Sequence, residues 1–539
     1  MSAQRSIKEE VKKGEDDLIF DGMKIAKERI AEARKNSSNR LDLSNLGLTE
    51  LPEELFELKK LDWLNLSGNQ LASLPAELFD LKKLELLLLT DNKLSEFPAD
   101  LVKLRRLRSI QLGNNFLTSI PPEICEFPQV DFLFLNGNRL KEVPKEIGKM
   151  SELKAIHLNS NNLSSLPEEW DQLSQIDDLR LSGNQFEEFP PVITKLKKLR
   201  TLHLSQNYLS EVPEEIYYLE DLHWIELSNN YIDNFPESLC GLENLSTLKI
   251  DDNQISQIPS KISEMRRLEI LSLSGNRLET LPKEISLLKY LNTLSLKKNY
   301  FEQLPPPTLK MPSLEYLDLG GNRISVFPRD LGKPSLTRLY LNDNRITEVP
   351  ENLETVATEV SLKNNRLKKF PEAFLKSPMQ AVGHLDLSGN HIQEIPRAID
   401  RLEYLEELNL AANNLHSLPE SFGNLKSLKI LNLGENQFRR IPKEVFFLHN
   451  LAVLQIDNNP ISNIDHKIFS HESLEHFEIS SAWLHMKWKE ALGIDPLPQS
   501  FKKISINFMD YPETSFNTLE KATLPMLRKY YSKPKNDFK

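Results

Sequence analysis

An asparagine recurs every 23 residues from Asn69 through Asn92, Asn115 and Asn138 to Asn322, and continues less evenly through Asn344, Asn365, Asn390, Asn413 and Asn436 to Asn459. Around each one runs the frame Leu-x-x-Leu-x-Leu-x-x-Asn-x-Leu-x-x-Leu-Pro-x-x-Leu-x-x-Leu. It is complete in Leu61, Leu64, Leu66, Asn69, Leu71, Leu74, Pro75, Leu78 and Leu81. A fixed period of this length means stacked supersecondary units whose apolar faces are buried only by their neighbours. It therefore sets aside the three or four globular domains that the length of 539 residues would suggest.

The Leu-x-Leu alternation has period two, so each repeat carries a short strand with its leucines turned inward and the residues between them turned to solvent. Strands of successive repeats then pair in parallel. An Asn where the chain leaves the strand has an amide that can satisfy backbone groups of its own turn and of the neighbouring one, so the Asn column is structural. The Pro six residues later, at Pro52, Pro75, Pro98 and onward to Pro442, fixes φ and suits the first position of a helical turn on the convex side. Asn spacing changes to 22, 21 and 25 across Asn322, Asn344, Asn365 and Asn390. The strands Leu339/Leu341 and Val360/Leu362 persist there, so the shortening is expected on the convex side.

These residues resemble the leucine-rich repeat family over about Leu41 to Leu484. The 23-residue Leu-Pro form is similar to the intracellular class of Ras-group scaffolds, plant intracellular proteins and bacterial cytoplasmic repeat proteins. The fold class expected is α/β, a leucine-rich repeat solenoid with a curved parallel sheet on the concave face, helical or 3-10 turns on the convex face, and helical caps. Three segments follow: an N-terminal capping helix in 1–37, about 20 repeats in 38–484, and a C-terminal cap with a basic tail in 485–539. Ile19, Met23, Ala26, Ile30 and Ala33 make the apolar stripe of the first cap. Trp483, Leu484, Met486, Trp488, Leu492 and Ile494 suggest the second, and Phe501, Ile504 and Ile506 suggest a degenerate further repeat.

Inward positions are taken by Leu, Ile, Val or Phe, which leaves the residues between them readable as surface. Leu86, Leu88, Phe132, Phe134, His157, Arg180, His203 and Trp224 form an apolar and aromatic patch grading into a polar, partly basic one, the composition of an interface. An anionic group of a protein partner is expected at Arg180, with the histidines adding donors when protonated. Metal binding by His157 and His203 is not expected, because Arg180 stands between them.

Seventy-eight acidic against 67 basic side chains give a net charge of −11, which argues against general nucleic-acid binding. No stretch of about 18 apolar residues suggests a membrane span. The first 17 residues lack the apolar core of a secretion signal. Cys125 and Cys240 lie five repeats apart, roughly 24 Å by strand spacing, so a disulfide is not expected and a reducing cytoplasm is. Phosphate-binding glycine loops and kinase signatures are missing, and no enzymatic activity, cofactor or metal is expected. The resemblance implies a monomeric interaction scaffold whose partner is a small GTPase, a phosphatase or another signalling protein. The alternative is an exported bacterial effector or surface recognition protein.

Overall fold

The computed structural model describes residues 21–326, 336–351, 357–376, 381–462, 465, 467–468, 471–479 and 503–506. The chain divides into two compact units, Met1–Ile255 with Glu264–Leu268, and Ser256–Ser263 with Glu269–Lys539. The division does not coincide with the uneven spacing between Asn322 and Asn390, which falls within the second unit.

Unit one begins with helix α1 (Gly22–Lys35), whose first turn is capped by Asp21 Oδ1 accepting from the Lys24 N–H at 3.0 Å. Its buried face is Gly22, Ala26, Ile30 and Ala33, while Met23 is half-buried. A Cβ at position 22 would stand 1.7 Å from the Leu46 carbonyl oxygen, so only glycine admits the helix this close to the first repeat. Arg29 donates to the Asp42 carbonyl at 2.9 Å, and Lys27 pairs with Glu54 at 3.1 Å.

Ten strands follow in this unit: β1 (Arg40–Asp42), β2 (Trp63–Asn65), β3 (Leu86–Leu88), β4 (Ser109–Gln111), β5 (Phe132–Phe134), β6 (Ala155–His157), β7 (Asp178–Arg180), β8 (Thr201–His203), β9 (Trp224–Glu226) and β10 (Thr247–Lys249). Each pairs in parallel with the next, in a register that sets equivalent residues side by side, as in Phe132↔Ala155 and Phe134↔His157. The middle residue of every strand is buried, so both flanking side chains face out from the sheet.

Unit two repeats the scheme with β11 (Ile270–Ser272), β12 (Thr293–Ser295), β13 (Tyr316–Asp318), β14 (Arg338–Tyr340), β15 (Glu359–Ser361), β16 (His384–Asp386), β17 (Glu407–Asn409), β18 (Ile430–Asn432), β19 (Val453–Gln455), β20 (His476–Ile479) and β21 (Lys503–Ile506). All pair in parallel with their successors. The degenerate repeat read near Ile504 thus contributes a strand. The aromatic cap read at Trp483–Ile494 and the basic tail lie outside the described residues.

The returning segments are short 3-10 turns, such as Glu53–Glu57 and Lys145–Lys149. The frame Pro does not occupy their first position, as the sequence suggested, but precedes it, even where a second Pro opens the turn, as at Pro122, Pro191 and Pro306. Pro52 has extended ψ, 135°, and its carbonyl accepts the first turn bond from the Leu55 N–H at 3.1 Å.

The asparagines form the expected ladder. Asn184 donates to the Leu181 carbonyl of its own turn and to Leu158 of the repeat before, both at 2.9 Å, and accepts from the Leu163 N–H at 3.0 Å. The ladder survives the irregular repeats: Asn344 reaches Leu319, Asn365 reaches Leu341 and Asn390 reaches Leu362, each at 2.9 Å. The convex segments of these repeats, where the shortening was expected, fall partly at 327–335, 352–356 and 377–380, outside the described residues. The residue before the ladder Asn adopts left-handed backbone, with φ 69° at Gly68 but also 55° at Gln206 and 53° at Ala412. Glycine takes this conformation without penalty, and the ladder holds other residues in it elsewhere.

Candidate functional site

The eight residues singled out from the sequence all lie on the sheet face of unit one, because each flanks a buried middle residue of its strand. The structure does not gather them into one group. Leu86 and Leu88 on β3 are half-buried and separated from the aromatics by Ser109 and Gln111 of β4.

Phe132 and Phe134 are i, i+2 neighbours on β5 with ring centroids 6.1 Å apart, and Phe134 packs on the His157 ring of β6 at 4.4 Å. Phe132 is 37% exposed, which is high for so large an apolar ring on a paired strand. Next to them, Asp178 of β7 gathers the polar groups. His157 Nε2 lies 3.0 Å from its Oδ2, while Arg180 Nε donates to Oδ1 at 3.0 Å and Nη2 to Oδ2 at 3.0 Å. Burial pushes the Asp178 carboxyl up, but the hydrogen bonds from His157 and Arg180 and their charges outweigh it, and the group is held below its ordinary value.

A second group stands on β8 to β10. The His203 ring stacks on Trp224 at 6.0 Å and 15°, Lys249 Nζ lies 5.1 Å over the Trp224 ring, and His203 Nδ1 is 3.4 Å from Glu226 Oε2. Burial pushes the His203 imidazole below its ordinary value, against the pull of Glu226.

The anion site expected at Arg180 therefore has to be corrected. Two of its three guanidinium nitrogens are already engaged by Asp178, His157 is bound to the same carboxylate, and His203 is held toward its neutral form. The charges are paired within the sheet, so the apolar rings are the unspent part of the surface. Asp178 is the organising residue that the sequence reading left out of the site. Its signal was present as Asp178-Leu179-Arg180, an acid and a base on the same face two residues apart.

Unit two has a counterpart that was also missed. On β13 to β15, Tyr316 and Tyr340 lie 5.4 Å apart at 49°, Arg338 sits 5.7 Å over the Tyr316 ring, and the Tyr340 hydroxyl donates to Glu359 Oε1. Burial pushes the Tyr316 phenol up to about 12, and burial with Asp318 below it keeps it protonated. Burial also raises Asp318, although the Gly320 N–H donates to it at 2.8 Å.

Among the described residues, no three His, Cys, Asp or Glu side chains are placed to hold a metal ion, and no helix is long and apolar enough to cross a membrane.

Models described as leucine rich repeat match residues 39–94, 128–186, 266–324, 289–346, 356–415 and 403–448, and a leucine-rich repeat region model matches 190–276. No curated protein sequence matches the chain significantly. Among solved structures, a leucine-rich repeat protein of Leptospira interrogans is 29% identical at a TM-score of 0.50, covering 88% of this chain and 98% of its own. The Arabidopsis receptor kinase HAESA, solved in complex with the peptide hormone IDA and the co-receptor SERK1, is 27% identical at a TM-score of 0.57, over 82% of this chain and 83% of its own. YopM from Yersinia enterocolitica is 24% identical at a TM-score of 0.53, over 85% and 94%, a likeness of fold.

Proposed function

The chain belongs to the leucine-rich repeat family, and on that premise we propose that it is a non-enzymatic interaction module that seats a protein or peptide partner on the sheet face of unit one. The observation that carries this is the half-open aromatic pair of β5. Phe132 keeps 37% of its surface in water beside Phe134 and the fixed His157–Asp178–Arg180 assembly. An apolar ring next to a rigid, already neutralised polar group fits an interface centre: covering the ring removes apolar area from water, and no buried charge is left without a partner.

The HAESA complex supports the reading at the level of a related fold that holds a peptide and a protein. In the finer reading the partner is a signalling protein such as a small GTPase or a phosphatase, the chain works as a monomer of the intracellular Leu-Pro class, and its compartment is the cytoplasm. Cys125, half-buried, and Cys240, buried, with no disulfide between them, fit a reducing environment.

The test is retention from native extract on immobilised wild type and on Phe132→Ala/Phe134→Ala, followed by titration of each retained protein. A partner lost from the variant, or bound about 30-fold more weakly, is the expected result for two central rings. Identical sets bound with equal affinity would place the interface elsewhere.

A further inference from the structure

The residue that follows each ladder asparagine is held in a straight file along the flank of the sheet. Its N–H donates to the repeat before: Tyr300 to Leu278 at 2.8 Å, Arg323 to Phe301 at 2.9 Å, Arg345 to Ile324 at 2.8 Å and Arg366 to Ile346 at 2.8 Å. Hydrogen bonding of this kind spaces neighbouring positions by about 4.8 Å. In unit two the file reads Arg277, Tyr300, Arg323, Arg345, Arg366, His391, Asn414 and Gln437, and all eight are exposed.

Among the described residues, none of the four arginines forms an ion pair; Arg323 lies 4.3 Å over the Tyr300 ring. The nearest carboxylates in sequence do not serve them. Asp343 accepts the amides of Asn342 and Asn364, both at 2.7 Å, and Glu302 and Glu348 are exposed without an ion pair among the described residues.

Three consecutive arginines in register, unpaired, repel one another and cost the fold stability. Nothing in the repeat demands them. The same file in unit one begins Gln70, Lys93, Phe116 and Arg139, where Lys93 donates to Gln70 at 2.9 Å and Arg139 covers the Phe116 ring at 4.6 Å. Those four positions pair among themselves, and Arg323 does the same over Tyr300, whereas the Arg345 and Arg366 side chains have no partner among the described residues.

We propose that this file binds an acidic segment of a protein partner, whose carboxylates take paired N–H bonds from Arg323, Arg345 and Arg366. A nucleic acid fits less well. Beside the arginines the Tyr300 ring is already covered by Arg323 and offers no platform for a base. The surface is distinct from the sheet face of unit one, so its test stands apart from the one above.

The test is fluorescence anisotropy of a labelled oligoglutamate with the full chain at low and moderate salt. Salt-sensitive binding is expected, weakened at least about tenfold in R323Q/R345Q/R366Q and unchanged in the unit-one control R105Q/R106Q/K141Q. The lysine variant R323K/R345K/R366K keeps the charge should the glutamine variant fail to fold. It is expected to bind about threefold more weakly, because an ammonium cannot make the paired bond. Equal affinity in wild type and both file variants, or equal weakening in the control, overturns the proposal. Tighter binding of single-stranded DNA of the same charge overturns it in favour of a nucleic acid.

Discussion

The sheet faces of the two units carry aromatic clusters built on the same strand positions, and they use them in opposite ways. In unit two, each aromatic side chain has a polar end, and that end is spent on a neighbour: the Tyr340 hydroxyl on Glu359 and the Tyr316 hydroxyl beside Asp318, with Arg338 over the Tyr316 ring. In unit one, Phe132 and Phe134 have no such end. The polar groups around them close on Asp178 instead, leaving an apolar ring in water beside a finished charge network. Position in the repeat thus decides which side chains face out. Whether they remain available to a partner is decided by whether they can satisfy one another.

The comparison assumes that the frame beneath both clusters is equivalent, and the largest expected effect tests that assumption. Asn184→Ala in unit one and Asn322→Ala in unit two each remove donors to two repeats and an acceptor for a third group. Each is expected to cost about 3 kcal/mol, read from urea unfolding. A marked inequality between the two would mean that the frames differ and that the clusters cannot be compared as surfaces alone.

Next in size is the contrast between the two aspartates. Asp178→Asn is expected to cost about 1–2 kcal/mol at neutral pH, because it strips the acceptor from both Arg180 and His157. Asp318→Asn is expected to change stability by less than about 0.5 kcal/mol, since burial already disfavours that charge. Their pH dependences have opposite signs. Asp178 is depressed in the folded chain, so its contribution is complete above the ordinary carboxylate value of 3.8 and is lost as pH falls through the folded value below it. Asp318 is raised, so between its folded value and 3.8 the native state takes up the proton first, and stability gains as pH falls. Hydrogen exchange resolved by unit between neutral pH and pH 3 checks this: protection at β7 is expected to fall while that at β13 holds.

The smallest effect separates stability from binding. Tyr340→Phe is expected to cost about 1 kcal/mol by leaving Glu359 without its donor. Phe132→Ala is expected to cost less than about 0.5 kcal/mol in thermal or urea unfolding, because its ring is not fully buried, while weakening the partner. The reverse order would make Phe132 a structural residue and Tyr340 the exposed one.

Much of this was readable from the chain. The period, the strand at each Leu-x-Leu and the Asn ladder follow from Asn69 to Asn459, and so does the outward direction of all eight proposed contact residues, because alternation on a strand is a local property. Pairing across repeats was not readable to the same degree. Arg180 looked like a donor waiting for a partner's anion, and only the structure commits it to Asp178. Tyr340 and Glu359, nineteen residues apart across a shortened repeat, meet only because β14 and β15 pair in register despite the missing residues.

The sequence by itself determined the repeat, the faces and the buried leucines, since each depends on spacing along one short segment. The tertiary structure alone decided which outward side chains are spent and which are free, because that depends on distances of about 3 Å between residues of different repeats, set by stacking and rotamer rather than by position in the chain.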